Sequence, residues 1–183
     1  MTSHEEVLRE IEALAEDNKW PIIGPAKGQV LAEVLQKYHP VRVLEVGTLV
    51  GYSAILMSQF LPKDAMITTL EINPNIAEIA RENFAKAGIS GSVDLRVGDA
   101  LDLIPSLRGP FDLVFLDAAK EHYLQYLKLA EPKMTHRAIV IADNVKIFAY
   151  QMRNFLDYVR DGSVYESKTH DFGFDAVEVC TRK

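Results

Sequence analysis

The sequence predicts an α/β domain built on a mostly parallel sheet, and two observations carry this prediction. Short apolar runs of strand length alternate with longer amphipathic stretches along the whole chain. Four of the apolar runs also end in an acidic residue, namely Glu45, Glu71, Asp117 and Asp143. Because ligands bind at the carboxyl ends of the strands in open α/β sheets, we expect these carboxylates to surround one cleft.

Seven strands are predicted from apolar runs and turn residues. Five of them are expected to be parallel, at 41–46, 66–70, 93–97, 111–116 and 138–142. Residues 164–169 and 176–180, joined by a short turn, are predicted as an antiparallel hairpin at the sheet edge. Helices are predicted at 3–17, 52–60, 74–86, 122–130 and 148–159, with another starting at Pro25. No linker or repeat divides the chain, so we expect a single domain over 1–183.

The composition and charge of the chain limit the kinds of partner that it is expected to bind. The chain has 183 residues, a net charge of −6 and a pI near 5.4, which disfavours a general nucleic-acid surface. No apolar stretch approaches the roughly 20 residues that span a bilayer. The amino terminus is polar and lacks a signal-peptide pattern, and the single cysteine, Cys180, allows no intrachain disulfide. We therefore expect a cytoplasmic protein that binds neither nucleic acid nor membrane.

The turn after the first strand predicts a nucleoside site. Gly47 is expected to let a ligand lie against the backbone, and Gly51 begins the next helix. Glu71, at the end of the second strand, is placed to accept hydrogen bonds from ribose hydroxyls. The G-x-G-x-x-G pattern of dinucleotide sites is missing, so a nucleoside without phosphates fits better than NAD. Asp99 and Ala100 are next in line to border the base, although Asp99 could equally cap a helix.

Five blocks of sequence together resemble the catechol O-methyltransferases, which are class I methyltransferases that depend on S-adenosylmethionine (SAM) and on a metal. The blocks are 24–29, 43–47 with 51–54, 71–74, 111–120 and 142–145, and they occur in the family's order and spacing. The resemblance implies a Rossmann-like fold with helices on both faces of the sheet. It further implies that N-terminal helices within 1–40 cover the active site and that 41–183 form the core.

A metal site is predicted at the tips of two strands. Asp117, Asp143 and Asn144 offer two carboxylates and an amide carbonyl, a set suited to Mg²⁺, with Mn²⁺ or Ca²⁺ as substitutes. Taken alone, Asp143 and Asn144 could instead cap the following helix. The resemblance implies that Lys120 is the general base of the reaction.

The resemblance also implies a set of cofactor contacts. They are Glu45, Gly47, Tyr52, Ser53, Glu71, Ile72, Asp99, Ala100 and Asp117. Tyr52 could instead pack within its helix, and Glu45 could hold the loop through backbone amides. Lys27 is expected to cap or border the second helix.

The chain departs from the family's pattern around the acceptor. Ala118 and Ala119 stand where the catechol enzymes have large side chains, which should open the wall over the acceptor ring. Trp20 could be an aromatic wall or a core anchor. The family's late glutamate has no clear match; Glu166 and Asp171 are the candidates, and Asp175 is assigned to the hairpin.

The predicted activity is Mg²⁺-dependent transfer of a methyl group from SAM to a hydroxyl of a small catechol-type acceptor, by direct in-line displacement. Two alternatives stay open. One is a methyltransferase of the same fold with a coenzyme A-linked or amine acceptor, and the other is a non-catalytic cofactor-binding module. Homodimerisation through the first helix or the terminal hairpin is compatible with the sequence, which does not decide between them.

Overall fold

A computed structural model describes residues 3–183, so the first two residues of the predicted domain lie outside the described part. Seven strands form one sheet in the order β3-β2-β1-β4-β5-β7-β6. Their bounds are β1 Arg42–Val46, β2 Met66–Glu71, β3 Val93–Val97, β4 Phe111–Leu116, β5 Met134–Ala142, β6 Tyr165–Asp171 and β7 Ala176–Arg182. The helices are α1 His4–Asn18, α2 Gly24–Tyr38, α3 Tyr52–Ser58, α4 Pro74–Ala87, α5 Ala100–Leu103, α6 Tyr123–Ala130 and α7 Arg153–Arg160.

The predicted α/β class with a C-terminal hairpin is confirmed. Strands β1 to β5 pair in parallel, and β7 lies antiparallel between β5 and the edge strand β6. The carboxyl ends of β1, β2, β4 and β5 therefore meet at one edge of the sheet. This arrangement brings together the four acidic strand ends that the sequence pointed to.

Alternation along β1 shows how the sheet separates two apolar cores. Leu44 and Val46 pack with α5, α6 and α7 on one face, and Val43 packs with α1 to α4 on the other. Because successive side chains of a strand point to opposite faces, a fully apolar strand is satisfied only when both faces are covered by helices. The predicted helices on both faces are confirmed.

Two element boundaries differ from the prediction by four or more residues, and the others differ by two at most. Strand β5 begins at Met134, four residues earlier than predicted, and its pairing with β4 contains a register shift between Phe111 and Leu113. The helix predicted at 148–159 is only Arg153–Arg160, because residues 145–152 form successive turns beside the end of β5.

Within residues 3–183, none of the helices combines the length and the apolar character that crossing a membrane requires.

Candidate active site

A cavity of about 590 Å³ opens at the carboxyl ends of the central strands. Ten of the twelve predicted site residues line it: Gly47, Tyr52, Ser53, Glu71, Ile72, Asp99, Ala100, Asp117, Lys120 and Asn144. Glu45 and Asp143 lie behind the wall, with side chains that are almost wholly buried. The sheet therefore collects residues that are distant in sequence around one space.

Glycine is required at position 47 by a close contact with the protein's own backbone, besides the contact with a ligand that the sequence predicted. Its φ is 103°, and a side chain there would lie against the carbonyl oxygen of Asp117 and 2.8 Å from its carbonyl carbon. The neighbour that excludes a Cβ atom is thus the protein's own backbone at the end of β4. The glycine lets the turns after β1 and β4 touch, and this contact forms part of the cavity wall.

The Glu71 carboxylate is held by two backbone N–H groups. Leu49 donates to one oxygen at 2.8 Å, and Asn73 donates to the other at 2.9 Å. A carboxylate has about four acceptor sites, so both oxygens retain capacity for donors in the cavity. The exposed side chain of Ile72 follows at the cavity edge.

Asp99 caps a helix, as the sequence allowed, and it also lies at the cavity wall, while its predicted contact with the base stays a prediction. Its side chain accepts a hydrogen bond of 2.8 Å from the N–H of Leu101 and so caps α5. The same residue lines the cavity next to Ala100.

Glu45 supports the cavity from behind. It is fully buried and accepts hydrogen bonds from the hydroxyls of Ser53 and Thr69. Burial raises the pKa of Glu45 to about 7, against the lowering effect of those two donors. The carboxyl therefore ties β1 to α3 and β2 through side-chain hydroxyls, and not to the loop through backbone amides, which was one of the two expectations.

Tyr52 joins the cavity to the first helix. Its hydroxyl donates to Glu12 of α1 at 2.5 Å, while the residue lines the cavity. Both expectations for Tyr52, a wall residue and a packing residue, describe this position.

Lys120 lies at the cavity wall beside the end of β4. Its Nζ atom donates to Asp117 Oδ1 at 2.8 Å and to the hydroxyl of Tyr123 at 2.9 Å. The Lys120 and Asp117 side chains are 14% and 16% exposed, so the ion pair is largely withdrawn from water yet open to the cavity.

A second cluster of charged and polar groups adjoins the first. Lys27 Nζ lies 2.6 Å from Asp143 and 3.0 Å from Asp175, and the side-chain amide of Asn144 donates to Asp175 at 2.7 Å. Lys27 lies in the first turn of α2 and Asp175 in the turn between β6 and β7, as expected, but the sequence did not indicate that both would be partly or wholly buried in this cluster. Nothing local in the sequence separates Asp175 from its neighbour Asp171, which is exposed and bound to Lys146.

The pKa values of this cluster reflect its burial. Burial raises the pKa of Asp143 to about 6, and the nearby charge of Asp117 adds to the shift while Lys27 opposes it. Burial alone would raise the pKa of Asp175, but hydrogen bonds from Asn144 and Lys27 outweigh it and hold this pKa below its usual value. The charge of Asp117 beside the buried Asp143 makes this a place where a cation is stabilising.

The residues at these strand ends fit a hard divalent ion. Among residues 3–183, no three His, Cys, Asp or Glu side chains are grouped as a metal site, so a third protein ligand beside Asp117 and Asp143 would have to be the amide oxygen of Asn144. Asn144 lines the cavity and has a φ of 62°, a left-handed conformation that asparagine tolerates better than most residues. An ion here would compete with Lys27 and Lys120 for the carboxylate oxygens.

Apolar residues also line the cavity, among them Ile22, Ala118, Ala119 and Phe148, and Tyr126 of α6 lines it as well. Tyr126 was not predicted, because only the packing of α6 brings it to the cavity. Trp20 packs against the core of α1 to α4 and does not border the cavity, which favours the core anchor of the two expectations. Glu166 and Asp171 also do not border it.

The fold and the grouping of these side chains define a class I methyltransferase fold of the Rossmann-like type. A family model described as O-methyltransferase matches residues 2–152. The chain belongs to this O-methyltransferase family.

Three similar proteins illustrate the relationship. Catechol O-methyltransferase of Mus musculus is 36% identical over 168 residues, covering 87% of this chain and 63% of the relative. Catechol O-methyltransferase of Niastella koreensis is 34% identical over 151 residues, covering 80% of this chain and 62% of the relative. The crystal structure of the O-methyltransferase TomG from Streptomyces achromogenes, in complex with SAM, superposes with a TM-score of 0.89 at 26% identity, over 97% of this chain and 90% of that one. The chain thus spans somewhat less than two thirds of the length of these two curated relatives.

Proposed function

We propose that this protein transfers the methyl group of SAM to a hydroxyl of a small aromatic diol with the help of a divalent cation. The observation that carries the proposal is the position of Lys120, paired with Asp117 at the wall of a cavity that Asn144 and Glu71 also line. A basic side chain, oxygen donors of the kind that divalent cations prefer and a carboxylate with free acceptor capacity are thereby exposed to one space. The names of the catechol O-methyltransferase relatives and the SAM complex of TomG support the same assignment.

The donor would lie along the strand ends. Glu71 would accept hydrogen bonds from the ribose hydroxyls with the oxygen capacity left by its two backbone bonds. Asp99, Ala100 and Tyr126 border the end of the cavity on the side of α5 and α6, where the base would lie. SAM supplies an electrophilic methyl group, and Ser53 and Tyr52 border the space left for its methionine part.

The acceptor would lie between the carboxylate cluster and the apolar wall. Asp117, Asp143 and the amide of Asn144 would hold Mg²⁺, which stabilises the phenolate form of a bound hydroxyl. Two adjacent hydroxyls suit such a site because both oxygens can reach one ion. Ala118 and Ala119 leave room over the ring of the acceptor.

Lys120 would receive the proton of the reacting hydroxyl when its amine is in the neutral form. Its ion pair with Asp117 keeps Nζ at the wall, so the acceptor is deprotonated where it meets the donor. Buried residues behind the cavity wall, such as Glu45, keep the two reactants aligned for the displacement. This positioning is a large part of the acceleration of a displacement between two bound molecules.

An acceptor screen with labelled SAM tests the proposal. Vicinal diphenols, monophenols and amines are each incubated with Mg²⁺ and with a chelator. We expect labelled product from the vicinal diphenols alone, and only when metal is present. Product that resists the chelator would refute the metal role, product from amines would refute the acceptor class, and SAM binding without any product would favour a cofactor-binding module.

A further inference from the structure

Tyr123 is a buried residue next to the site that none of the roles above uses. It lies at the start of α6, is 0% exposed and does not border the cavity. Its hydroxyl accepts the hydrogen bond of 2.9 Å from Lys120 Nζ and donates one of 3.2 Å to the main-chain carbonyl of Asp143. The hydroxyl thus joins the end of β5 to the lysine that follows β4.

The ring of Tyr123 is itself held in place. It packs edge to face against Phe155 of α7, with ring centroids 5.6 Å apart and planes at 90°. Phe155 is also 0% exposed, so the pair belongs to the core under α6 and α7. Rings in a close-packed interior have few alternative positions, and the hydroxyl is therefore fixed by the core.

Lys120 has few other restraints. Its long side chain has several rotatable bonds, and fixing them costs conformational entropy. Within the described residues its Nζ atom has only Asp117 and Tyr123 as hydrogen-bond partners. If the carboxylate of Asp117 turns toward a cation, the hydroxyl of Tyr123 is the hydrogen-bond partner that continues to hold Nζ of Lys120.

From this geometry we propose that Tyr123 is a positioning residue, whose hydroxyl holds Lys120 at the cavity wall and ties it to the strand end that carries Asp143 and Asn144. The inference rests on the proposed function, because it takes Lys120 to be the group that receives the proton. Tyr123 itself touches neither donor nor acceptor. Its contribution is therefore expressed only through Lys120.

A double-mutant cycle tests this dependence. Tyr123→Phe removes the hydroxyl and keeps the ring, and we expect kcat to fall about tenfold, as for the loss of one hydrogen bond to a charged group, with KM for both substrates within about twofold. In a Lys120→Ala background the same substitution should change kcat by less than about twofold, because the residue it acts through is gone. Equal losses in both backgrounds, or no loss in the wild-type background, would overturn the inference.

Tyr158→Phe provides the matched control. Tyr158 also donates through its hydroxyl, to Glu131 at 2.8 Å, but it makes no hydrogen bond to Lys120. Its kcat should equal that of the wild type. If Tyr123→Phe does not fold, Phe155→Leu replaces it in the same cycle, because it loosens the tyrosine ring while keeping the hydroxyl.

A labelling experiment reads the position of Lys120 without turnover. The protein is acetylated with limiting acetic anhydride, and modification of Lys120 is compared by mass spectrometry with that of the exposed Lys146. In Tyr123→Phe the ratio should rise at least about threefold, since the amine loses one of its two partners. An unchanged ratio would contradict the inference. A wild-type protein that methylates no acceptor but shows the raised ratio in the variant would refute the proposed function and leave the positioning role supported.

Discussion

Replacing Gly47 by alanine tests the contact between the turns after β1 and β4. The added Cβ atom would overlap the carbonyl group of Asp117 in a backbone conformation with φ of 103°. Gly162 provides the matched control, because its φ is 77° and a Cβ atom there would meet nothing within 4 Å. The two variants share the conformational penalty, and they differ in the clash.

The magnitudes follow from these two terms. A residue with a side chain in this region of φ costs about 1–2 kcal/mol, and forcing an extra carbon into a packed site costs about 1–3 kcal/mol more. For a chain of this size each kcal/mol lowers Tm by about 2–4 °C. We expect Gly47→Ala to melt about 4–20 °C below the wild type and Gly162→Ala about 2–8 °C below it, so that the clash alone lowers Tm by about 2–12 °C.

Thermal melts followed by circular dichroism measure both values at one pH and one protein concentration. SAM binding by calorimetry should also weaken in Gly47→Ala and stay unchanged in Gly162→Ala, because only the first displaces a cavity wall. Equal melting temperatures for the two variants would refute the reasoning. They would show that the two turns separate at little cost and that their contact does not hold the cavity.

Three further perturbations follow from the site. Asp117→Ala should abolish methylation that depends on metal, and chelator-resistant turnover in this variant would contradict its role. Glu71→Ala should mainly raise the Kd of SAM, by about 10- to 100-fold for one lost bond to ribose. Replacement of the exposed Asp64 by alanine is the control and should change neither property. Folded Glu45 keeps its proton up to about pH 7 but an unfolded glutamate only to about 4.5, so the folded state binds more protons between these values and its stability falls as pH rises through them. The unfolding free energy of the wild type, measured by urea titration relative to that of Glu45→Gln, should therefore fall by about 3 kcal/mol between pH 4 and pH 8. A difference between the two proteins that stays constant with pH would exclude the raised pKa of Glu45. Tyr52→Phe should lower the unfolding free energy by about 1–2 kcal/mol in the same titrations, since α1 loses its hydrogen bond to the cavity wall, and unchanged stability would show that water replaces this bond.

The local pattern of apolar and polar residues was sufficient to predict most of the strands and helices. Strands such as β1 and β4 are apolar on both faces, and this property is visible in any short window of sequence. It failed at 148–152, which form turns instead of the start of the predicted helix; just before them Lys146 donates to Asp171 and the N–H of Ile147 donates to Asp175. Those contacts accompany turns where the apolar spacing had indicated a helix.

The residues of the site also divide into those that the sequence predicted and those that it did not. Glu71, Asp117 and Asn144 were predictable because each follows a strand, and parallel strands bring their carboxyl ends to one edge. Lys27 and Asp175 were expected at the second helix and in the hairpin, where they lie, but their part in the ion pairs around Asp143 was not predicted. They come from a helix and a hairpin that lie 148 positions apart, so no local pattern connects them.

The sequence by itself determined the order of strands and helices, the edge of the sheet where ligands collect and the chemical types of most groups there. These follow from short-range periodicity and from the rule that parallel strands share a direction. Only the tertiary structure decided which of these groups face the cavity and which, like Glu45, Asp143 and Tyr123, support it from behind. The physical reason is that burial and hydrogen-bond partners depend on how α1, α2, α6 and the terminal hairpin pack around the sheet, and packing of distant segments leaves no signature in any one of them.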